Sequence, residues 1–148
     1  MIRVLALLVV VAGCQEKIDE YTRRSKSTEA QILLMRLTRI AKVHADDGGA
    51  FPKGNAGPTP SVPCCKQPKA HCEPNPEDWK QETWAMLAFE VDQPHRFQYS
   101  YASDGTTFTV TATADLECNG EITTLQAGGK IVNGKPLVDD SQLRAPKS

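Results

Sequence analysis

A proline-rich segment in the middle of the chain limits what this sequence can fold into. Seven of the ten prolines lie between Ala50 and Pro76. Because proline fixes φ and has no backbone N–H, this segment cannot form a continuous helix or a central strand. A loop of this length is uncommon in a compact domain unless something holds it together. Three cysteines, Cys64, Cys65 and Cys72, lie within it, so we predict a cross-linked loop between two structured parts.

The residues before this loop predict one long helix over Gln15 to Asp47. In its second half, residues suited to one packing face recur at intervals of three and four, as on an amphipathic helix. They are Ala30, Leu33, Leu34, Leu37, Ile40, Ala41 and His44. The first half, up to Ser27, is more polar and is expected to be a solvated tether. The helix is expected to end at Gly48-Gly49, because glycine readily takes the left-handed conformation at a helix C-terminus.

After the loop, the sequence predicts a short helix and then an antiparallel sheet. Asn75-Pro76 is typical of a helix start, and this helix is expected over Pro76 to Phe89. From Phe97 onward, apolar residues alternate with polar ones, as in strands with one buried face. Turns are expected at Ser103-Asp104-Gly105, Asn119-Gly120 and Asn133-Gly134, with a returning strand from Ile122 and a last hairpin formed by Ile131, Val132, Leu137 and Val138.

The predicted fold class is therefore α+β. A long N-terminal helix packs on a three- to four-stranded antiparallel sheet, and a disulfide-stapled proline-rich loop lies between them. The length of 148 residues suits one domain. The formal net charge of -1 argues against a nucleic-acid-binding protein, which normally has a basic excess. We expect a signal peptide (1–13), an anchor and tether (14–27), a globular domain (28–138) and a flexible tail (139–148).

The first fourteen residues have the features of a bacterial lipoprotein signal. Arg3 precedes an unbroken apolar run from Val4 to Val11, and Val11-Ala12-Gly13-Cys14 follows. A basic start, a short apolar core and small residues at the exit are typical of a removable secretory signal, and the run is too short to span a bilayer. Because Val-Ala-Gly-Cys matches the lipobox, Cys14 is predicted to carry diacylglyceryl and N-acyl (palmitate-type) chains, enough for stable attachment. The alternative is an ordinary signal peptide with a cysteine near its cleavage point.

The other four cysteines are expected to form two disulfides, because export places them in an oxidising compartment. A bond between the neighbours Cys64 and Cys65 would close a strained ring. Two pairings remain: Cys64–Cys72 with Cys65–Cys118, or Cys65–Cys72 with Cys64–Cys118. A competing interpretation is a metal site that combines His71 with Cys72 and Cys118, although the paired C-x2-C elements usual in zinc sites are missing.

One acidic turn is similar to a calcium-binding loop. Asp115, Glu117, Asn119 and Glu121 place oxygen-bearing side chains at alternate positions. Position 12 of such a loop, normally a bidentate glutamate, is Gln126 here. The turn is therefore interpreted either as a calcium site or as a polar hairpin turn.

No motif points to an enzyme. The sequence contains no G-x-S-x-G, H-E-x-x-H, G-x-x-x-x-G-K or G-x-G-x-x-G pattern. Its three histidines, His44, His71 and His95, have no Ser, Cys or acid partner that sequence alone places beside them. We expect a non-enzymatic protein with no cofactor beyond the covalent lipid on Cys14 and, in the calcium interpretation, a calcium ion.

Four segments occur in a distinctive order. They are Glu20–Ala30 (EYTRRSKSTEA), Trp84–Phe89 (WAMLAF), Arg96–Tyr101 (RFQYSY) and Phe108–Gly120 (FTVTATADLECNG). This ordered set resembles the type IV pilin and pseudopilin family, especially the pilin-like proteins of myxobacteria. The resemblance implies a long helix whose C-terminal half packs on an antiparallel sheet, with the proline-rich loop at a position that varies within the family.

The N-terminus departs from the family pattern. Pilins have a Gly-Phe processing site, a glutamate five residues into the mature chain and a long apolar helix that builds the filament core. This sequence has Val4 to Gly13 and then Cys14 instead. A head domain without the apolar helix loses most of the burial that joins filament subunits, so a lipid anchor is expected to replace the filament-forming element.

These patterns predict a lipid-anchored, pilin-like protein of the cell envelope that acts as an accessory of a type IV pilus or secretion pseudopilus. Its expected partners are the membrane and pilus or secretion proteins. Gln15 lacks the Asp-type signal for inner-membrane retention, which favours the outer membrane. The alternative is a stand-alone lipoprotein that binds a small ligand or a protein, with a cleft near Trp79, Trp84 and Tyr99. Core packing is the competing role for the tryptophans.

Overall fold

The computed structural model describes the backbone of residues 2–144, together with the side chains of residue 17 and residues 21–144. It has one long helix, α1 (Ile2–Gly48), and one short helix, α2 (Glu82–Leu87). Five strands form a single antiparallel sheet in which sequence neighbours pair with each other. They are β1 (Gly54–Thr59), β2 (Gln98–Ser103), β3 (Thr107–Ala114), β4 (Thr123–Val132) and β5 (Lys135–Asp139). The α+β class is confirmed, but the sheet has five strands rather than three to four.

The additional strand, β1, lies inside the segment predicted to be a loop. Because β1 is at the edge of the sheet, only one of its sides joins the hydrogen-bond ladder. Its register against β2 shifts between Ala56 and Thr59, at a bulge that contains Pro58. Gly57 in this bulge has φ of +94°, and a Cβ there would collide with the carbonyl oxygen of Tyr99. The prolines therefore restrict the strand to the edge without preventing it.

The second half of α1 packs against the sheet. Five side chains on one face are at most 2% exposed: Ala30, Leu34, Leu37, Ala41 and Ala45. His44, which the spacing placed on this face, is exposed, and Ala45 takes the last buried position. The helix starts at Ile2 rather than Gln15, and it ends at Gly48 as predicted. Gly49 then has φ of +81° and donates its N–H to the Ala45 carbonyl oxygen.

The helix predicted over Pro76 to Phe89 is interrupted. A 3-10 turn, Pro76–Trp79, follows the predicted cap, Asn75, whose side-chain oxygen accepts a hydrogen bond from the Glu77 N–H. The extended conformation of Gln81 separates this turn from α2. The Gln81 side chain also accepts a hydrogen bond from the Gly57 N–H at 3.2 Å, which ties this break to the bulge of β1.

The connections between the last strands differ from the predicted hairpins. Residues 115–122 join β3 to β4, so Asn119-Gly120 lies within a longer connection and not in a two-residue turn. The two-residue turn is Asn133-Gly134 between β4 and β5, with positive φ at both residues, as a type I′ turn requires. Because β4 runs without interruption, the two predicted hairpins share one strand.

The C-terminal segment 139–148, predicted to be a flexible tail, contributes to the core. A 3-10 turn covers Ser141–Leu143, and Leu143 is 2% exposed. Arg144 donates a hydrogen bond from Nε to Asp140 at 3.2 Å. Leu143 therefore belongs to the core, and residues 145–148 lie outside the described residues.

Candidate functional site

The predicted lipid-bearing residue, Cys14, lies on the backbone of α1, and its side chain is outside the described residues. Residues 21–25 of the same helix are exposed, and the first buried residue among the described side chains is Ala30. At a rise of about 1.5 Å per residue, the helix between Cys14 and Ala30 is about 24 Å long. Among the residues that the structure describes, none of the helices combines the length and apolar character needed to cross a bilayer.

Two disulfides hold the segment between β1 and β2. Cys64–Cys72 closes a small loop, and Cys65–Cys118 ties this loop to the connection between β3 and β4. This is the first of the two pairings that the sequence left open. Cys64 and Cys72 are 2% and 0% exposed, whereas Cys118 is in solvent. The first disulfide therefore belongs to the core and the second to the surface.

His95 lies beside the buried disulfide, a position that the sequence did not indicate. The backbones of Cys72 and His95 exchange two hydrogen bonds of 2.8 and 3.0 Å. His95 is 2% exposed, its Nδ1 lies 2.9 Å from the Gln93 carbonyl oxygen, and its Nε2 is buried without a hydrogen-bond partner. A ring nitrogen of His95 and the Sγ atoms of Cys64 and Cys72 all lie within 4.8 Å of one another.

The metal set suggested by the sequence, His71 with Cys72 and Cys118, is not assembled. Cys72 and Cys118 belong to different disulfides. The Nε2 atom of His71 lies 2.7 Å from a carboxylate oxygen of Glu73. Among the side chains that the structure describes, the Cys64, Cys72 and His95 group is the one set of three potential metal ligands that lies close enough together. His95 replaces His71 because the fold, and not the sequence spacing, brings it to Cys72.

The acidic turn uses its side-chain oxygens within the turn. The Asp115 carboxylate accepts hydrogen bonds from two backbone N–H groups at the tip, at 3.0 and 2.8 Å. Asn119 accepts one from the Glu121 N–H at 3.0 Å, and Glu117 lies 3.6 Å from the Lys26 ammonium. The hydrogen bonds within the segment are those of a polar turn. Calcium binding by Asp115, Glu117, Asn119 and Glu121 stays a prediction.

Trp79, Trp84 and Tyr99 belong to an aromatic cluster in the core, as the packing interpretation expected, and are 5%, 0% and 0% exposed. The Trp84 indole donates a hydrogen bond to the Thr59 hydroxyl at 2.9 Å, and the Tyr99 hydroxyl donates one to Glu29 at 3.3 Å. Burial and the neighbouring Glu29 raise the pKa of Tyr99 far above its ordinary value. The phenol is therefore a fixed hydrogen-bond donor between α1 and the sheet.

Exposed apolar side chains lie on α1 and on β5. Ile32 and Met35 are 61% and 38% exposed, and Leu137 is 57% exposed. Between the two elements is a groove of about 390 Å³, which we call the α1–β5 groove. Its lining includes Met35, Arg39, Lys42, Leu137, Val138 and Arg144. This groove combines apolar side chains with three cationic ones, and Asp140, which pairs with Arg144, also lines it.

Comparison with known proteins gave no match: no protein-family model, no curated protein and no solved structure is significantly similar to this chain.

Proposed function

We propose that this protein is a non-enzymatic, lipid-anchored envelope protein with a pilin-like head, and that it serves as an accessory of a type IV pilus or secretion pseudopilus. The observation that carries the proposal is the continuity of α1. The same helix contains Cys14 and, from Ala30 onward, the residues buried against the sheet. A continuous helix keeps the head at a defined distance from acyl chains on Cys14, which a flexible linker does not.

The packing of the head supports the pilin-like part of the proposal. The C-terminal part of α1 lies on an antiparallel sheet, and a cysteine-linked loop lies beside it. This is the arrangement that the resemblance implies, with five strands in the sheet. The apolar filament helix of pilins is replaced by the lipobox, so the head is expected to bind a filament or its assembly proteins without polymerising.

We assign partner binding to the α1–β5 groove. Apolar side chains that remain exposed together are typical of protein interaction surfaces. Arg39 and Lys42 border the apolar part of the groove formed by Met35 and Leu137. This arrangement suits a pilus or pseudopilus subunit that presents an apolar stripe flanked by carboxylates.

Mass spectrometry of the mature N-terminus tests the anchor. The wild-type chain should be cleaved before Cys14 and carry the mass of its acyl chains. The Cys14→Ala variant should lack this mass and leave the membrane fraction, because its acceptor thiol is gone. Cys118→Ala is a matched control that removes a cysteine outside the lipobox and should keep the acyl chains. An unacylated wild-type N-terminus, or cleavage elsewhere, contradicts the anchor.

Crosslinking in whole cells tests the partner separately. Wild-type protein should crosslink to pilus or pseudopilus subunits, and a Met35→Glu, Leu137→Glu variant should lose at least most of these crosslinks. Met86→Glu is the control, since Met86 is 43% exposed on α2, outside the groove. If an acylated wild-type protein gives no such crosslinks, the accessory role is wrong while the anchor stands.

A further inference from the structure

We propose that Cys64, Cys72 and His95 bind one thiophilic divalent metal ion, with Zn²⁺ as the reference case, when the Cys64–Cys72 disulfide is reduced. Their ligand atoms already lie within 4.8 Å of one another. Each of the three residues is at most 2% exposed. This inference concerns the head alone and does not depend on the lipid anchor or on a partner.

His95 has the hydrogen-bond pattern of a metal-binding histidine. Its Nδ1 lies 2.9 Å from the carbonyl oxygen of Gln93, and because that oxygen only accepts, Nδ1 carries the proton. In the neutral ring, Nε2 then has a free lone pair, and this buried atom has no hydrogen-bond partner. An unpaired buried polar atom is costly. A metal ion at Nε2 would satisfy it, and an Nδ1–H bond to a carbonyl is the usual orienting contact of such a ligand.

Backbone hydrogen bonds that do not involve the disulfide hold Cys72 against His95 and hold Cys64 in its own turn. Cys72 is paired with His95 through two main-chain hydrogen bonds. Cys64 begins a 3-10 turn in which its carbonyl oxygen accepts the Gln67 N–H at 3.1 Å. The Gln67 side-chain amide donates to the Sγ of Cys72 at 3.3 Å, a contact that also stabilises a thiolate. Both sulfurs are therefore expected to stay close to the His95 ring after reduction.

The chemistry requires a two-electron reductant of the disulfide, and a dithiol is one that supplies it. Its two thiols become a disulfide, and the two sulfurs of Cys64 and Cys72 each receive a proton. Zn²⁺ then displaces these two protons and forms two Zn–S bonds and one Zn–N bond. Two thiolates, a neutral imidazole and Zn²⁺ have no net charge, which suits a buried position. Cys2His is also an established zinc ligand set that leaves the fourth position for water.

Metal titration of the full chain in detergent tests the site. A phosphine reductant is used, because a dithiol would compete for the metal, and Zn²⁺ and Co²⁺ are added as probes. The reduced wild-type chain should bind one ion, with thiolate-to-cobalt charge-transfer bands, and the oxidised chain none. His95→Asn retains a donor for the Gln93 carbonyl and lacks Nε2, so its affinity should fall by at least about tenfold. His71→Asn is the matched control and should bind like the wild type.

X-ray absorption at the zinc edge of the reduced wild-type chain gives a second readout that does not depend on the folding of any variant. Two sulfurs and one imidazole per zinc support the site. Four sulfurs would place the metal on all four cysteines and overturn it. Unchanged affinity in His95→Asn, or one tightly bound zinc in a Cys64→Ser, Cys72→Ser variant, would overturn it as well.

Discussion

Asp104 organises the turn between β2 and β3 with a single carboxylate oxygen. Its Oδ1 accepts hydrogen bonds from the backbone N–H groups of Thr106 and Thr107 at 2.9 and 2.8 Å, and from both of their hydroxyls. These hydrogen bonds stabilise the charged carboxylate and lower the pKa of Asp104 to about 2. The largest contributions come from the Thr107 N–H and then the Thr106 N–H, followed by the hydroxyls. The negative charge at this residue is therefore tied to the folded turn.

This shift predicts a loss of stability in acid that depends on Asp104. In the unfolded chain the carboxyl has its ordinary pKa of 3.8. Its stabilising effect is therefore complete above that value and is lost as the pH falls from there toward 2. Asp104→Asn should make the free energy of unfolding less dependent on pH across this range, as measured by urea unfolding at several pH values. Asp46→Asn, another exposed carboxylate, is the control. Identical pH profiles for wild type and Asp104→Asn would contradict the assignment.

At the scale of elements, the Cys65–Cys118 disulfide connects the proline-rich segment to the sheet. Its two cysteines are separated by 53 residues, against 8 for Cys64 and Cys72. Because loop closure in the unfolded chain removes more entropy for a longer loop, the chain-entropy relation assigns about 4 kcal/mol to Cys65–Cys118 and about 2.5 kcal/mol to Cys64–Cys72. The more exposed disulfide is thus expected to stabilise the fold more.

The Cys65→Ala, Cys118→Ala double variant tests this expectation. Little packing is lost, since Cys65 is half-buried and Cys118 exposed, so the change isolates the crosslink. Its free energy of unfolding should fall by about 2–4 kcal/mol in chemical denaturation. The control is the wild-type chain after full reduction, which should be at least as destabilised. A double variant as stable as the oxidised wild type would contradict the expectation, because the proline-rich segment would then be held in place without the Cys65–Cys118 disulfide.

Several elements defined by local residues were predictable from the sequence, whereas the elements that depend on distant partners were not. Gly48 ends α1, Asn75 caps its turn, and Asn133-Gly134 forms a tight hairpin, because each depends on the conformational preference of one or two residues. β1 was missed because its prolines are tolerated only at a bulged sheet edge. His95 was missed because only the folded backbone places it against Cys72.

At the scale of the whole molecule, Lys26 and Glu29 join the first part of α1 to the head. Glu29 accepts hydrogen bonds from the Arg96 N–H at 2.9 Å and from the Tyr99 hydroxyl at 3.3 Å. Lys26 reaches the Leu116 carbonyl oxygen and Glu117 at 3.4 and 3.6 Å. The side chains of residues 21–25 are in solvent. Lys26 and Glu29 therefore attach α1 to the head about three to four turns of helix beyond Cys14.

Truncation should locate this boundary. A chain beginning at Thr28 keeps Glu29 and the whole buried face of α1, and it loses Lys26, whose partly exposed ion pair is worth at most about 1 kcal/mol. Its melting temperature, followed by circular dichroism, should fall by no more than about 5 °C.

A chain beginning at Met35 lacks Ala30 and Leu34, both 0% exposed. It should not fold, because one buried leucine alone is worth about 2–5 kcal/mol. If the chain beginning at Thr28 does not fold, or the chain beginning at Met35 is as stable as the full chain, α1 is not divided into a tether and a packing half. A stable head beginning at Thr28 would mean that the residues before it serve to place the head and not to fold it.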